Sequence, residues 1–439
     1  MQRWRLDPDR RATTLAALST LADARGGVAL VGVSADGREH PIVTVEGAQV
    51  TEGEHAGPLE RISLRCIVRT THNTSKLEPC ALSAEIAGGW LLVRFAGVPR
   101  LAVSVDATKP SRLPAGVEHV FIAHAKTLGS RIRTLPKTRI ERVDIDLSGD
   151  PAAGQALEKH GWLTVEHGAM KALSVTGVPT LRRLELRRCR SLAALDLRRL
   201  DALEQLDITG CDAFTEQPDL SALKSLTSLT LGPGSLDEVR VADLPALRSL
   251  TLTEGVVSSV ELRALPSLAE LWLTRTERVR RISLDDSLAA LRVVNLLCTR
   301  EFTDLRQLDA LPALEMLALY DCEALEDLSP LRAHPSLSDL TLHGCRRAND
   351  LSPLVDLRSL KRLTVQLNPS IERLGDIARF TSLEALGLGA CENLRDLSGI
   401  EALTSLREIN LSQCVALRDA SALSSLPSLA RVLLPRHLQ

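Results

Sequence analysis

Cysteine is the residue type in this 439-residue chain best placed to do chemistry, and its spacing decides which chemistry. Of nine cysteines, six fall in pairs 22 or 23 residues apart: Cys189 with Cys211, Cys322 with Cys345, and Cys391 with Cys414. That interval is far too long for a Cys-x-x-Cys metal or redox pair. An odd total with this regular placement points to reduced thiols in a reducing, cytoplasmic compartment, not to a disulfide framework. Cys66, His72 and Cys80 offer three metal ligands, but the spacing is loose and a fourth ligand is missing, so they read as ordinary residues of a β-rich region. Asp144, Asp146 and Asp150 are spaced as in a cation loop. They lack its glycine and final glutamate, and they read as a solvated acidic face. No Gly-x-x-x-x-Gly-Lys loop and no His-Glu-x-x-His pair occurs. No catalytic group, metal site or cofactor is therefore assigned.

The elements that would position these residues are set by leucine. Leu314 to Cys345 contains the pattern Leu-x-x-Leu-x-Leu-x-x-Cys twice, at an offset of 23 residues. The second leucine of the pattern recurs at Leu184, Leu206, Leu229, Leu250, Leu271, Val294, Leu317, Leu340, Leu363, Leu386, Ile409 and Val432. Weaker copies run upstream through Leu163, Val143 and Val120. A fixed period of this size marks a solenoid. Leu-x-Leu puts both leucines on one face of a short strand. Only the stacking of further units buries that face.

On these residues the chain resembles the leucine-rich repeat family, and the repeat length is similar to the internalin-like class. The expected fold is α/β: a horseshoe solenoid over residues 113–439, with about 14–15 units of 20–23 residues and a parallel concave sheet. In that family the ninth place of the unit faces inward and bonds the turn backbone, usually through asparagine. Asn368 holds it here, and the six paired cysteines hold it elsewhere. Where Asp-Leu-Ser-Pro-Leu occurs, as at 327–331 and 350–354, serine and proline predict a short helical turn on the convex side. Leu173 with Val175, Leu195 with Leu197, Val239 with Val241, Val260 with Leu262, and Ile282 with Leu284 alternate instead. They predict a second narrow sheet on that side.

Residues 1–112 lack the leucine period. Runs at 28–33, 42–45, 62–68, 91–95 and 101–105 read as strands, so a β-rich domain that caps the open end of the solenoid is expected, bounded near Lys109 to Pro114. The opening segment reads as an amphipathic helix with Leu15, Leu18 and Leu21 turned inward, not as a secretory leader. No apolar run is long enough to span a bilayer. A formal charge of -2 gives no bulk attraction to nucleic acid or membrane. With aromatic residues at only 2%, the core is aliphatic.

Function is sought on the concave face. Its centre carries Trp272, Met316 and Tyr320, with Glu270, Asn295, Asp339, His343, Arg362 and Gln366 beside them. Aromatic and arginine side chains are the usual anchors of interfaces. A second, acidic patch is expected at Asp144, Asp146, Glu166, Glu185 and Asp207. The sequence thus points to a non-enzymatic scaffold, monomeric on its own, that binds a protein or peptide. One alternative is an enzyme or regulator whose activity lies in residues 1–112. The other is a secreted or surface adhesin.

Overall fold

The computed structural model describes residues 3–4, 28–34, 38–46, 49–53, 55–56, 61–69, 75–79, 82–87, 90–95, 98–104, 117–122, 140–147, 153–155, 161–166, 169–308, 311–332 and 334–439. The opening segment with Leu15, Leu18 and Leu21, and with it His72, Cys80, Asp150 and the Cys66 side chain, lie outside these residues. The chain divides into two compact units, Met1–Leu203 and Glu204–Gln439.

The second unit is a parallel solenoid built as the leucine period demands. Eleven strands, from Gln205–Thr209 to Arg431–Leu433, form one long parallel sheet. Register carries the second-leucine column straight through it. Leu206 pairs with Leu229, then Leu250, Leu271, Val294, Leu317, Leu340, Leu363, Leu386, Ile409 and Val432 in turn. From Leu206 to Ile409 this column is at most 2% exposed. The second unit is a parallel β-solenoid with an aliphatic core.

The return side follows two designs. Between Glu238 and Leu284 the coils return through strands Glu238–Ala242, Ser259–Arg263 and Arg281–Leu284, which form a three-stranded parallel sheet. Glutamine side chains seal both its edges. Gln217 accepts from the Arg240 N–H at 2.8 Å and donates to the Arg240 carbonyl, while Gln307 accepts from the Leu284 N–H at 3.4 Å. Further along, the return is a single 3-10 turn, as at Ser329–Leu331, Ser352–Asp356 and Ser421–Ser425. The described residues contain no α-helix, so the α/β class expected from sequence is corrected to an all-β solenoid with 3-10 turns. A few residues crossing between strands suffice for one tight turn and not for a stable helix. The cap acceptor is also not the expected serine. Asp327, Asp350, Asp396 and Asp419 accept from the backbone N–H two residues on, at 2.8, 3.0, 2.8 and 2.8 Å.

A left-handed residue follows most strands of the long sheet. Glu254, Arg275, Cys298, Asp321 and Leu367 have φ between 53° and 57°, and Gly344 has 70°. Each N–H donates to the next coil; Cys298 reaches the Tyr320 carbonyl at 2.9 Å and Asp321 the His343 carbonyl at 2.8 Å. The conformation that costs about 1 kcal/mol in an L-residue is held by a coil-to-coil hydrogen bond.

In the first unit the strands expected near 28–33, 42–45, 62–68, 91–95 and 101–105 are present. The first three belong to a five-stranded antiparallel sheet. A second sheet starts with antiparallel strands Leu82–Ala87, Trp90–Phe95 and Val98–Ser104. It continues with parallel strands at His119–Ile122, Arg142–Asp146, Ala172–Thr176 and Ala194–Arg198. Val120 therefore pairs with Val143, Val143 with Leu173 and Leu173 with Leu195, whereas Leu163 and Leu184 pair with one another on the other sheet. This corrects the upstream end of the repeat. An apolar alternation marks a strand with one buried face, but it does not say to which of two sheets the strand belongs.

Candidate recognition face

Alternation along the long sheet turns every second side chain away from the leucine core. This outward face, expected to be concave, presents three columns. One runs Glu270, Val293, Met316, Asp339, Arg362; the next Trp272, Asn295, Ala318, Thr341, Thr364; the third Thr274, Leu297, Tyr320, His343, Gln366. The structure thus brings all nine central residues named from sequence onto five adjacent strands.

Three of those strands carry an apolar strip made of Trp272, Val293, Leu297, Met316, Ala318 and Tyr320. Sequence reasoning had missed Val293 and Leu297; the same alternation that marked Asn295 marks them too. The Tyr320 and His343 rings pack at 5.4 Å between centroids and 43° between planes. His343 Nδ1 is buried without a hydrogen-bond partner among the described residues. Trp272 Nε1 donates to Glu270 at 3.3 Å, which fixes the indole against its own strand. Arg362 Nε meets Asp339 at 2.7 Å, so those two charges answer each other across adjacent coils.

The residues of the secondary acidic patch are divided between two sheets. Asp144 and Asp146 lie on the sheet of Val120 and Val143, whereas Glu166 and Glu185 lie on the Trp162–Glu166 and Arg183–Arg187 pair. Asp207 belongs to the second unit. The carboxylates are also answered locally. Asp144 is 9% exposed and takes two hydrogen bonds from Arg142, at 2.8 and 3.1 Å. Glu185 is 4% exposed and sits between Arg183 and Arg187 with Thr164 Oγ1 at 3.0 Å. Glu166 pairs with Arg188 at 3.2 Å. A count of acidic residues could not show this, because the arginines that neutralise Asp144 and Glu185 stand two residues away on the same strands.

The ladder thiols are core groups. Cys189, Cys211, Cys322, Cys345, Cys391 and Cys414 are fully buried, and none is in a disulfide. Cys345, Cys391 and Cys414 each donate to a carbonyl of the preceding coil, at 3.4, 3.1 and 3.0 Å. Burial pushes the Cys391 thiol up to about 12 and Cys414 up to about 11. Cys345 is raised as well, first by the Cys322 thiol beside it and then by burial. Cys345, Cys391 and Cys414 are thereby disfavoured as thiolate nucleophiles. Asn368 continues the column, donating to the Cys345 and Ala348 carbonyls at 3.4 Å each. Sequence had not assigned Thr276 and Thr299, which are also fully buried in it; Thr299 Oγ1 lies 3.1 Å from Cys322 Sγ. Gly234 and Gly255 hold the remaining two places and are bridged directly. Among the described residues no three metal-ligating side chains gather, and no helix is long and apolar enough to cross a membrane.

No known protein family matches the chain, and no curated protein matches it. Solved structures similar to it include a leucine-rich repeat protein of Leptospira interrogans, at 16% identity over 60% of this chain and 90% of that one, TM-score 0.34. The functional domain of InlJ from Listeria monocytogenes, which includes a cysteine ladder, is 18% identical over 61% and 63%, TM-score 0.36. The leucine-rich repeat domain of the type III effector XopL is 19% identical over 46% and 77%, TM-score 0.27. These likenesses are partial.

Proposed function

We propose that the protein is a non-enzymatic recognition scaffold that binds a protein or peptide through the outward face of its long sheet, with Trp272 and Tyr320 as anchors. The observation that carries this reading is the apolar strip. Six apolar or aromatic side chains lie together on three consecutive strands of this face, and the two strands beside them present Asp339, Thr341, His343, Arg362, Thr364 and Gln366. A contiguous apolar patch on a surface sheet is a contact site more often than a solvated one. Trp272 and Tyr320 stand two strands apart, roughly 10 Å, within reach of a single loop or segment. The paired charges of Asp339 and Arg362 form a rim that orients a partner and contributes little to affinity.

The scaffold acts as a monomer in a reducing, cytoplasmic setting, with neither nucleic acid nor membrane as partner. Its free, buried thiols and near-neutral charge support this part of the reading. An activity seated in residues 1–112 is the competing class; of Cys66, His72, His40 and His55, only the His40 side chain is among the described residues, 3.2 Å from Ser34 Oγ.

The test is affinity capture with Trp272→Ala combined with Tyr320→Ala. Capture is expected to be lost while the thermal midpoint stays within about 2 °C, since both side chains face outward. Arg332→Ala with Arg358→Ala, exposed positions on the return side, should capture normally. Retention of the partner by the first pair at wild-type levels overturns the proposal.

A further inference from the structure

The outward face sorts its charges by column. In the column of Glu270, five of the ten positions from Ser228 to Arg431 are charged: Glu270, Asp339, Arg362, Glu408 and Arg431. The neighbouring column opens on Asp207 and then, from Thr230 to Asn410, contains no charged residue in nine positions. The third, from Thr253 to Gln366, contains none in six. A quarter of the chain is charged. A face that only had to stay wet would carry that share in all three columns.

Resting on the reading of Trp272 and Tyr320 as anchors, we propose that the partner contributes an uncharged, extended peptide segment laid across the strands along these two neutral columns. The two columns lie two residues apart along each strand, about 7 Å, which matches the width of one extended chain. Covering a neutral strip desolvates no ion, whereas the Glu270 column would have to shed hydration at every second position. The strip supplies what a peptide main chain requires. Each peptide unit brings one donor and one acceptor, and amides such as Asn295, Gln366 and Asn410 offer both. His343 Nδ1 is buried and lacks a partner among the described residues, beside the Tyr320 ring. Where Gly387 and Gly389 carry no side chain, the Gln366 amide lies over them, with its Nε2 3.3 and 3.4 Å from where their Cβ atoms would be. That amide is the group that an arriving main chain meets.

The consequence is an affinity indifferent to ionic strength, because screening acts only on charged contacts. A random dodecapeptide library displayed on phage is panned against the full chain and, in parallel, against the Trp272→Ala and Tyr320→Ala double variant. The motif selected by the wild type alone is expected to lack Lys, Arg, Asp and Glu. A synthetic copy is expected to change its Kd by less than about twofold between about 50 and about 500 mM NaCl. Thr341→Lys, in the neutral column, is expected to weaken that peptide about tenfold without moving the thermal midpoint. A motif with a fixed charged residue, or a tenfold loss of affinity in high salt, overturns the neutral-segment inference and leaves the anchors standing. A motif selected equally by both proteins overturns the anchors. Enrichment of no peptide, with binding of maltohexaose in its place, assigns the strip to a saccharide and overturns the inference.

Discussion

Two stretches of the second unit solve one problem in different ways. In the coils of Leu229 and Leu250 the chain returns through a strand, and the next leucine comes 21 residues on. From Leu317 the return is a 3-10 turn, and the interval is 23. An extended residue advances about 3.3 Å and a 3-10 residue about 2 Å, so these two coils span the gap with fewer residues, whereas the coil of Leu271, which follows its return strand with the 3-10 turn Asp286–Leu288, takes 23. The inward column changes with the return. The compact coils place Gly234 and Gly255 where the longer ones place Cys322, Cys345, Asn368, Cys391 and Cys414. Two residues of length thus decide whether the ladder is filled by side chains or closed by backbone.

The largest test of that contrast carries the thiol into the compact coils. Gly234 has φ of 56°, and a Cβ there would stand 2.9 Å from the Asp212 Cα. Gly234→Cys is expected to cost about 4 kcal/mol through strain and overlap with backbone, measured by urea unfolding. A cost under about 1 kcal/mol would show that length, not packing, selects glycine.

Within the longer coils, Leu340→Ala should cost about 3 kcal/mol by leaving a cavity at a fully buried site. Thr341→Ala, one residue along and facing out, should cost under about 0.5 kcal/mol. Equal values would invert the two faces of the sheet.

The narrow sheet has no counterpart in the longer coils, and Gln217 tests it. Gln217→Ala removes two hydrogen bonds to Arg240 and should cost about 1 kcal/mol. Hydrogen exchange should quicken at the Arg240 amide while Leu340 is unaffected. Unchanged exchange at Arg240 would mean that the glutamine caps nothing.

The smallest effect belongs to the aspartates at the 3-10 turns. A side-chain hydrogen bond from Ser352 holds the Asp350 carboxyl below its ordinary range, and Ser329 does the same for Asp327. A carboxylate whose folded value is depressed stabilises the fold above its unfolded value, and that stability is lost as pH falls through the folded one. The window therefore lies below about pH 4. Asp350→Asn keeps the acceptor without the titration. Its thermal midpoint should fall slightly less than that of the wild type between pH 5 and pH 3, by differential scanning calorimetry. Parallel curves would remove this aspartate from the acid response.

The legible part of the fold was the part written in one residue type. The second-leucine column from Leu206 to Val432 needed only the period, and the strand register follows it pair by pair. Val120 and Val143 were placed on the wrong sheet because alternation has no label for which sheet it serves. The left-handed column was invisible, since Glu254, Arg275, Cys298, Asp321, Gly344 and Leu367 share no chemistry. Backbone path selects that position, and the side chains are free to differ. The nine central face residues were legible from alternation. The ion pairing of Asp144 and Glu185 was not, because it depends on how Arg142, Arg183 and Arg187 lie on their own strands.

Because each strand of the long sheet is bonded to neighbours one coil away along the chain, the described residues of the second unit form no long-range clasp that must break first. Under load applied from its C-terminal side it should come apart like thread from a spool, one coil at a time. Each coil from Leu317 onward would release 23 residues, roughly 75–80 Å of slack, and each of the compact coils 21 residues, roughly 70–75 Å. The spacing of leucines along the chain would then be readable as a ruler of force steps. The change of step between the two stretches would mark where one return design gives way to the other.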